Sequence, residues 1–201
     1  MTLPMLKSQI NSSIEDMKFC FFQSASATAS DRYIRWNNNN FNCVILNVDG
    51  SCIGSPIRAG FGGLIRNSVG LFMSGYSGFI PSSSDILQAE LTAIYHGISI
   101  SFDMGITDMV IYSDSLRYIK LITDNNSQFH LHVVLIQDIR DMLFQGNYSV
   151  HHTLREGTYC ADYFAKLGAS TDARIQIHSS PPEDLRPLLR NDASGTLFLR
   201  S

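Results

Sequence analysis

Four carboxylates hold the chemical interest of this chain: Asp49, Glu90, Asp114 and Asp162. Asp49 closes a short, mostly β-branched run, VILNV at 44–48, and Asp114 closes MVIYS at 109–113. Glu90 lies three residues after Leu87 and four before Ile94, on the apolar face of a helical pattern. A carboxylate there is costly unless it is paired or binds a cation. Asp162 stands in the first turns of another helical pattern, beside Ala161 and Ala165, small residues that permit close packing on a sheet. Crowded acids repel one another, and a divalent cation removes that cost. Oxygen-only ligands suit Mg²⁺, with Mn²⁺ as a substitute, and disfavour zinc. Two such ions about 4 Å apart are the arrangement used for in-line attack of water on a phosphodiester. Taken singly, Asp49-Gly50 reads as a turn, Asp114-Ser115 as a helix start and Asp162 as an i,i+4 partner of Lys166. Together, and in this order on these elements, the four favour a cation site.

The elements that must position them follow from periodicity. The run at 44–48 suits a strand covered on both faces, with Asp49 at its end. Residues 59–66 (AGFGGLIR) and 71–80 read as two more strands joined by a hairpin-like link at 67–70. Leu87, Leu91, Ile94, Tyr95, Ile98 and Phe102 mark one face of a long helix, with Ser84 or Asp85 as N-cap and Gly105 as its stop. A fourth strand covers 109–113 and a fifth 148–154. Helical spacing recurs at 116–122, at 130–144, and at 158–168 behind a Thr158 cap. Three strands, helix, strand, two helices, strand, helix make an α/β domain with a mixed sheet, an antiparallel meander followed by crossover units. Ligand sites in such sheets gather at strand ends near the crossovers.

The chain has 201 residues, 44% hydrophobic and 16% charged, with a net charge of −3. This is the composition of a packed globular protein. It excludes a strongly basic nucleic-acid binder, though not a local basic patch. No apolar run is long enough to span a membrane. Four cysteines without C-x-x-C spacing argue against a disulfide scaffold or a zinc site. The first residues lack the pattern of a secretory signal, so the expectation is an intracellular protein, in cytoplasm or nucleus. Residues 1–40 read as a linker or disordered segment, with a short apolar patch at 19–22, a Ser/Ala/Thr stretch and four consecutive asparagines at 37–40. Residues 41–169 form the one convincing domain. Residues 170–201, with Pro181, Pro182 and Pro187, are expected to be a loose tail.

The motifs NVDGS (47–51), AGFGGLIRN (59–67), AELTAIYHG (89–97), SDS (113–115) and HTLREGTYCADYFAKL (152–167) together resemble the ribonuclease H family, type 1. The likeness is strongest to its plant, retroelement-derived members. It implies a ribonuclease H-like fold, a five-stranded mixed sheet in the order 3-2-1-4-5 flanked by helices. The family's metal-binding Asp-Glu-Asp-Asp set falls on Asp49, Glu90, Asp114 and Asp162. Its mobile histidine, which assists proton transfer or product release, has its nearest match in His152, ten residues before Asp162; Arg155 is the alternative, and His151 the weaker candidate because strand alternation turns one of the two histidines away. The implied activity is divalent-metal-dependent hydrolysis of the RNA strand of RNA–DNA hybrids by a monomeric endonuclease.

Departures from that pattern keep a second reading open. Bacterial members place Asn and Thr just before the helical Glu to touch the hybrid's minor groove, where this chain has Ile86 and Leu87. Only Ser82, Ser83, Ser84 and Gln88 could make polar contacts there. Thr158 stands where the family usually has Asn, and the Lys-rich handle of bacterial members is absent. Residues 41–169 hold seven Lys and Arg against eleven Asp and Glu, a net of −4. Phosphate contacts supply most nucleic-acid affinity, so hybrid binding should be weak. The rival to an active nuclease is a retroelement-derived binding remnant with little turnover. A proofreading-type exonuclease would need an acid at Ser51, and an integrase or transposase would need Glu as its last acid.

Overall fold

The computed structural model describes residues 33–34, 36, 42–123, 131–196 and 198–199. Tyr33–Phe198 makes one compact unit. Its sheet is built from β1 (Val44–Ile53), β2 (Arg58–Arg66), β3 (Phe72–Ile80), β4 (Asp108–Ser113), β5 (Asn147–His152) and β6 (Gln176–His178). The spatial order is β5-β4-β1-β2-β3-β6. The helices are α1 (Ile86–Asp103), α2 (Leu116–Thr123), α3 (Val133–Gln145), α4 (Tyr159–Ser170) and α5 (Arg186–Ala193). Tyr33–Ile34 and Phe198–Leu199 are two-residue strands outside this sheet.

The meander β1-β2-β3 is antiparallel, whereas β4 pairs with β1, and β5 with β4, in parallel. Parallel pairing demands crossovers, which α1 supplies before β4, and α2 and α3 before β5. Alternate residues of the strands face opposite layers. Leu46, Val48, Ile65 and Ile111 pack with Leu91, Ile94 and Ile98 of α1 and Ile136 and Ile139 of α3. On the other face, Leu64 packs with Cys160, Ala161 and Phe164 of α4 and with Leu185. The glycine-rich text of β2 has a steric reason. A Cβ on Gly62 would stand 2.5 Å from the backbone of Phe164, so only glycine lets α4 lie this close.

The order 3-2-1-4-5 is present, with a sixth strand added beside β3. Three features differ from the sequence expectation. First, β1 continues past Asp49 to Ile53, because β2 pairs with it throughout, Asp49 opposite Gly62. Asp49 instead stands just beyond the end of the parallel ladder, whose last pair is Asn47 with Tyr112. Secondly, Thr158 precedes α4 but its hydroxyl does not cap the helix; it donates to the Arg155 carbonyl at 2.9 Å. Thirdly, residues 170–201, expected as a loose tail, contain β6 and α5. β6 pairs with β3, Ile177 opposite Tyr76, and Leu185 is wholly buried. The prolines do not prevent this: Pro182 precedes a 3-10 turn at Glu183–Leu185, and Pro187 sits in the first turn of α5.

Most of residues 1–40, expected as a linker or disordered segment, lie outside the described residues. Trp36 is described and is half-buried beside Ile45, Val110 and Tyr112, with its indole N–H 3.4 Å from Asn47 Oδ1.

Candidate active site

Asp49 reaches its position because β1 is central and Glu90 because α1 crosses β1 at contact distance. A Cβ on Gly50 would fall 2.6 Å from the Glu90 amide nitrogen, so glycine there allows helix and strand to touch. α1 is started by Asp85, whose carboxylate accepts from the Leu87 amide at 2.9 Å and faces His132 Nε2 at 2.7 Å. Asp114 follows β4 in a turn where the Ser115 amide donates to Ser113 Oγ at 3.2 Å.

These elements bring Asp49, Glu90 and Asp114 together, with one carboxylate oxygen from each inside a 4.8 Å group. Asp49 is 7% exposed and Glu90 5%. Asp162 lies outside that tight group but lines the same open cleft of 400 Å³, with Gly50–Ile53, Ile86, Arg155 and Lys166 at its walls. Lys166 Nζ sits 2.6 Å from Asp162 Oδ2, so this acid is matched by a cation from its own helix.

Electrostatics in the cluster follow from burial and crowding. Burial, then the charges of Asp114 and Asp162, push the Asp49 carboxyl up to about 7, while hydrogen bonds from Glu90 and the Gly50 amide pull the other way. Glu90 is raised well above the usual carboxylate range, first by burial and then by Asp49 and Asp114. Without a cation, burial and mutual repulsion both favour the protonated forms of these two acids. Asp114 is raised by burial, and Arg155 and His152 oppose the rise. Glu90 Oε2 is buried with no hydrogen-bond partner. A buried oxygen without a donor is rare and calls for an occupant. An all-oxygen donor set with one such orphan fits a hard divalent cation such as Mg²⁺ or Mn²⁺.

The two histidines diverge as strand alternation requires. His152 is exposed, and its Nε2–H donates to the Asp114 main-chain carbonyl at 3.1 Å. His151 turns toward Ser149, with its ring 6.1 Å from that of Tyr112. Before α1, Ser83 Oγ donates to Gln88 Oε1 at 2.7 Å and accepts from the Asp85 amide. The serine and glutamine offered as groove contacts are therefore turned on each other. Cys52, Ile53 and Ile86 form an apolar rim, and Ile86 is a residue that the sequence places where polar groove contacts are missing. The continuation of β1 beyond Asp49 places the first two, and nothing in the local text marks it.

Comparison with known proteins agrees with this architecture. The family described as "Reverse transcriptase-like" matches residues 47–168. A provisionally named ribonuclease H protein of Arabidopsis thaliana is 27% identical over 168 residues, covering 83% of this chain; the chain spans only 27% of that relative's length. The crystal structure of RNase H1 from the halophilic archaeon Halobacterium salinarum superposes with a TM-score of 0.56 at 22% identity, over 63% of this chain and 97% of that one. LC11-RNase H1, crystallised with an RNA/DNA hybrid, gives 0.57 at 17% identity, over 63% of this chain and 96% of that one. The structural likenesses show the fold, and the family match runs from β1 to α4 and takes in all four acids. The chain belongs to the reverse transcriptase-like family, with a ribonuclease H-like fold.

Proposed function

We propose that this protein is a metal-dependent endonuclease that hydrolyses the RNA strand of RNA–DNA hybrids. The observation that carries the reading is the convergence of Asp49, Glu90 and Asp114 within 4.8 Å, with a buried Glu90 oxygen left without a donor. Asp49, Glu90 and Asp114 would hold Mg²⁺ or Mn²⁺, and Asp162 would join them on the side it shares with Lys166. Such cations supply Lewis-acid stabilisation of charge at the phosphorus centre and, as a pair, the two-metal-ion route to in-line hydrolysis. The chain's own residues prepare for this. Burial keeps the carboxylates short of water and eager for a cation. A bound cation would favour the ionised forms of Asp49 and Glu90, which burial and mutual repulsion otherwise oppose. His152 anchors the main chain of Asp114 and stands beside the cleft, where the proton-assisting role would be exercised.

A second reading, a nucleic-acid-binding remnant with little turnover, is favoured by the apolar rim of Cys52, Ile53 and Ile86 and by the mutual pairing of Ser83 and Gln88. A cleavage assay on an RNA–DNA hybrid with Mg²⁺ and with Mn²⁺ separates the two. Cleavage that Asp49→Asn and Asp114→Asn each abolish supports the nuclease. Hybrid binding without cleavage supports the remnant, and unchanged cleavage by Asp49→Asn overturns the site.

A further inference from the structure

Arg155 opens the 3-10 turn Arg155–Gly157 between β5 and α4. Its main chain is tightly held. The Arg155 carbonyl accepts from the Thr158 amide at 3.0 Å and the Thr158 hydroxyl at 2.9 Å, and the Gly157 amide donates to the Leu154 carbonyl at 2.8 Å. Glu156 within the turn and Thr158 just after it are buried. The Arg155 side chain is exposed and lines the carboxylate cleft.

Most other cations in the described residues are committed elsewhere. Arg58 pairs with Asp172, Arg66 with Asp192, Arg186 with Glu183, and Arg140 donates to the carbonyls of Leu121 and Ile122. Lys166, the second cation at the cleft, pairs with Asp162. Arg155 closes no ion pair with any described carboxylate; its charge acts across the cleft on Asp114. A phosphodiester entering an acidic cleft is repelled, and fixed cations must offset that repulsion. A guanidinium on a rigid turn is suited to the task, since its planar fork matches two phosphate oxygens and little backbone order is lost on binding.

We propose that Arg155 is a phosphate-binding residue of this site, its guanidinium taking two non-bridging oxygens of a phosphodiester in the nucleic-acid strand that lies along the carboxylates. The assignment rests on the nucleic-acid reading above. It also separates the duties of Arg155 and of His152 at the end of β5: Arg155 holds substrate, and His152 holds the Asp114 main chain.

The test uses the full chain and a labelled RNA–DNA hybrid. KM and kcat are measured with Mg²⁺, and binding is measured by anisotropy over a salt series in an Asp49→Asn background. Arg155→Gln should weaken hybrid binding about ten- to a hundred-fold, as loss of a charge-assisted contact does. It should also reduce the salt slope by about 0.9, one phosphate contact. Arg155→Lys should restore the slope and only part of the affinity, because charge is kept and the fork is lost. His152→Ala should keep the full slope, whatever it does to turnover. An unchanged slope in Arg155→Gln, or the same loss in His152→Ala, overturns the assignment. If Arg155→Gln melts below the parent, Arg155→Lys decides: a restored slope supports the proposal and an unrestored one refutes it. A wild-type protein that binds hybrid with an Arg155-dependent slope but never cleaves would sink the nuclease reading and leave Arg155 in place. One that does not bind hybrid at all would end both.

Discussion

Replacing Asp192 with Ala should cost far more than a change in a surface tail. Arg66 on β2 is 1% exposed and Asp192 on α5 is 5% exposed, and the guanidinium Nη2 lies 2.6 Å from Asp192 Oδ2. The same oxygen accepts from the Cys160 thiol at 3.2 Å, at the start of the helix that bears Asp162. Arg66 already leaves Nε without a partner, and its guanidinium lies 4.7 Å from the centre of the Trp36 ring. Asp192→Ala therefore strands a buried cation. Removing one partner of a buried pair costs roughly 3–5 kcal/mol. For a unit of this size that corresponds to a fall in melting temperature of roughly 6–20 °C. The assay is a thermal or urea melt of wild type, Asp192→Ala, and a double variant with Arg66→Met and Asp192→Leu. The double variant should recover most of the loss, because two apolar groups need no counter-charge. Asp192→Ala melting within about 2 °C of wild type would refute the reasoning, since a true buried pair cannot be broken so cheaply. The C-terminal helix would then be the loose tail that its prolines suggest.

Two further outcomes concern the acids. In chelator, stability should fall as pH rises from about 4 to about 7. Folded Asp49 holds its proton up to about 7 whereas the unfolded chain releases it near 3.8, so the folded state binds more protons in that window. The expected size is a few kcal/mol; Mg²⁺ should flatten the slope and release protons measurably by calorimetry near pH 6, and a slope of opposite sign rejects the account. Glu90→Gln should change metal-free stability little in acid, where a carboxyl raised by burial and by Asp49 and Asp114 keeps its proton. It should stabilise by about 1 kcal/mol or more at alkaline pH, where wild-type Glu90 ionises among like charges, and should shrink the stabilisation by Mg²⁺. A variant that melts lower in chelator at every pH, yet gains as much from Mg²⁺, would remove Glu90 from the cation site.

Much of the fold was legible because it rests on local periodicity. The β-branched runs before Asp49 and Asp114 and the apolar stripe from Leu87 to Phe102 each declare an element within one window, and the order of elements implies a meander followed by crossovers. Glu90 was conspicuous for the same reason: a carboxylate on an apolar stripe is costly at any position along a helix. The tail escaped detection because its attachment is not periodic. It rests on β6, only three residues long, on Leu185, and on an Asp192 whose worth depends on Arg66, 126 residues earlier in the chain. The length of β1 was hidden too, since Asp49-Gly50 reads as a turn until the partner strand β2 is seen to pair on past it. Which acids the chain possesses, and which elements present them, follows from local residue patterns. Tertiary structure alone decided that three of them crowd into one group while Lys166 answers the fourth, and that Arg155 faces the cleft while His152 is drawn to the main chain of Asp114. Those outcomes depend on distances between elements, and such distances are set by how closely Gly50 and Gly62 let the helices approach the sheet.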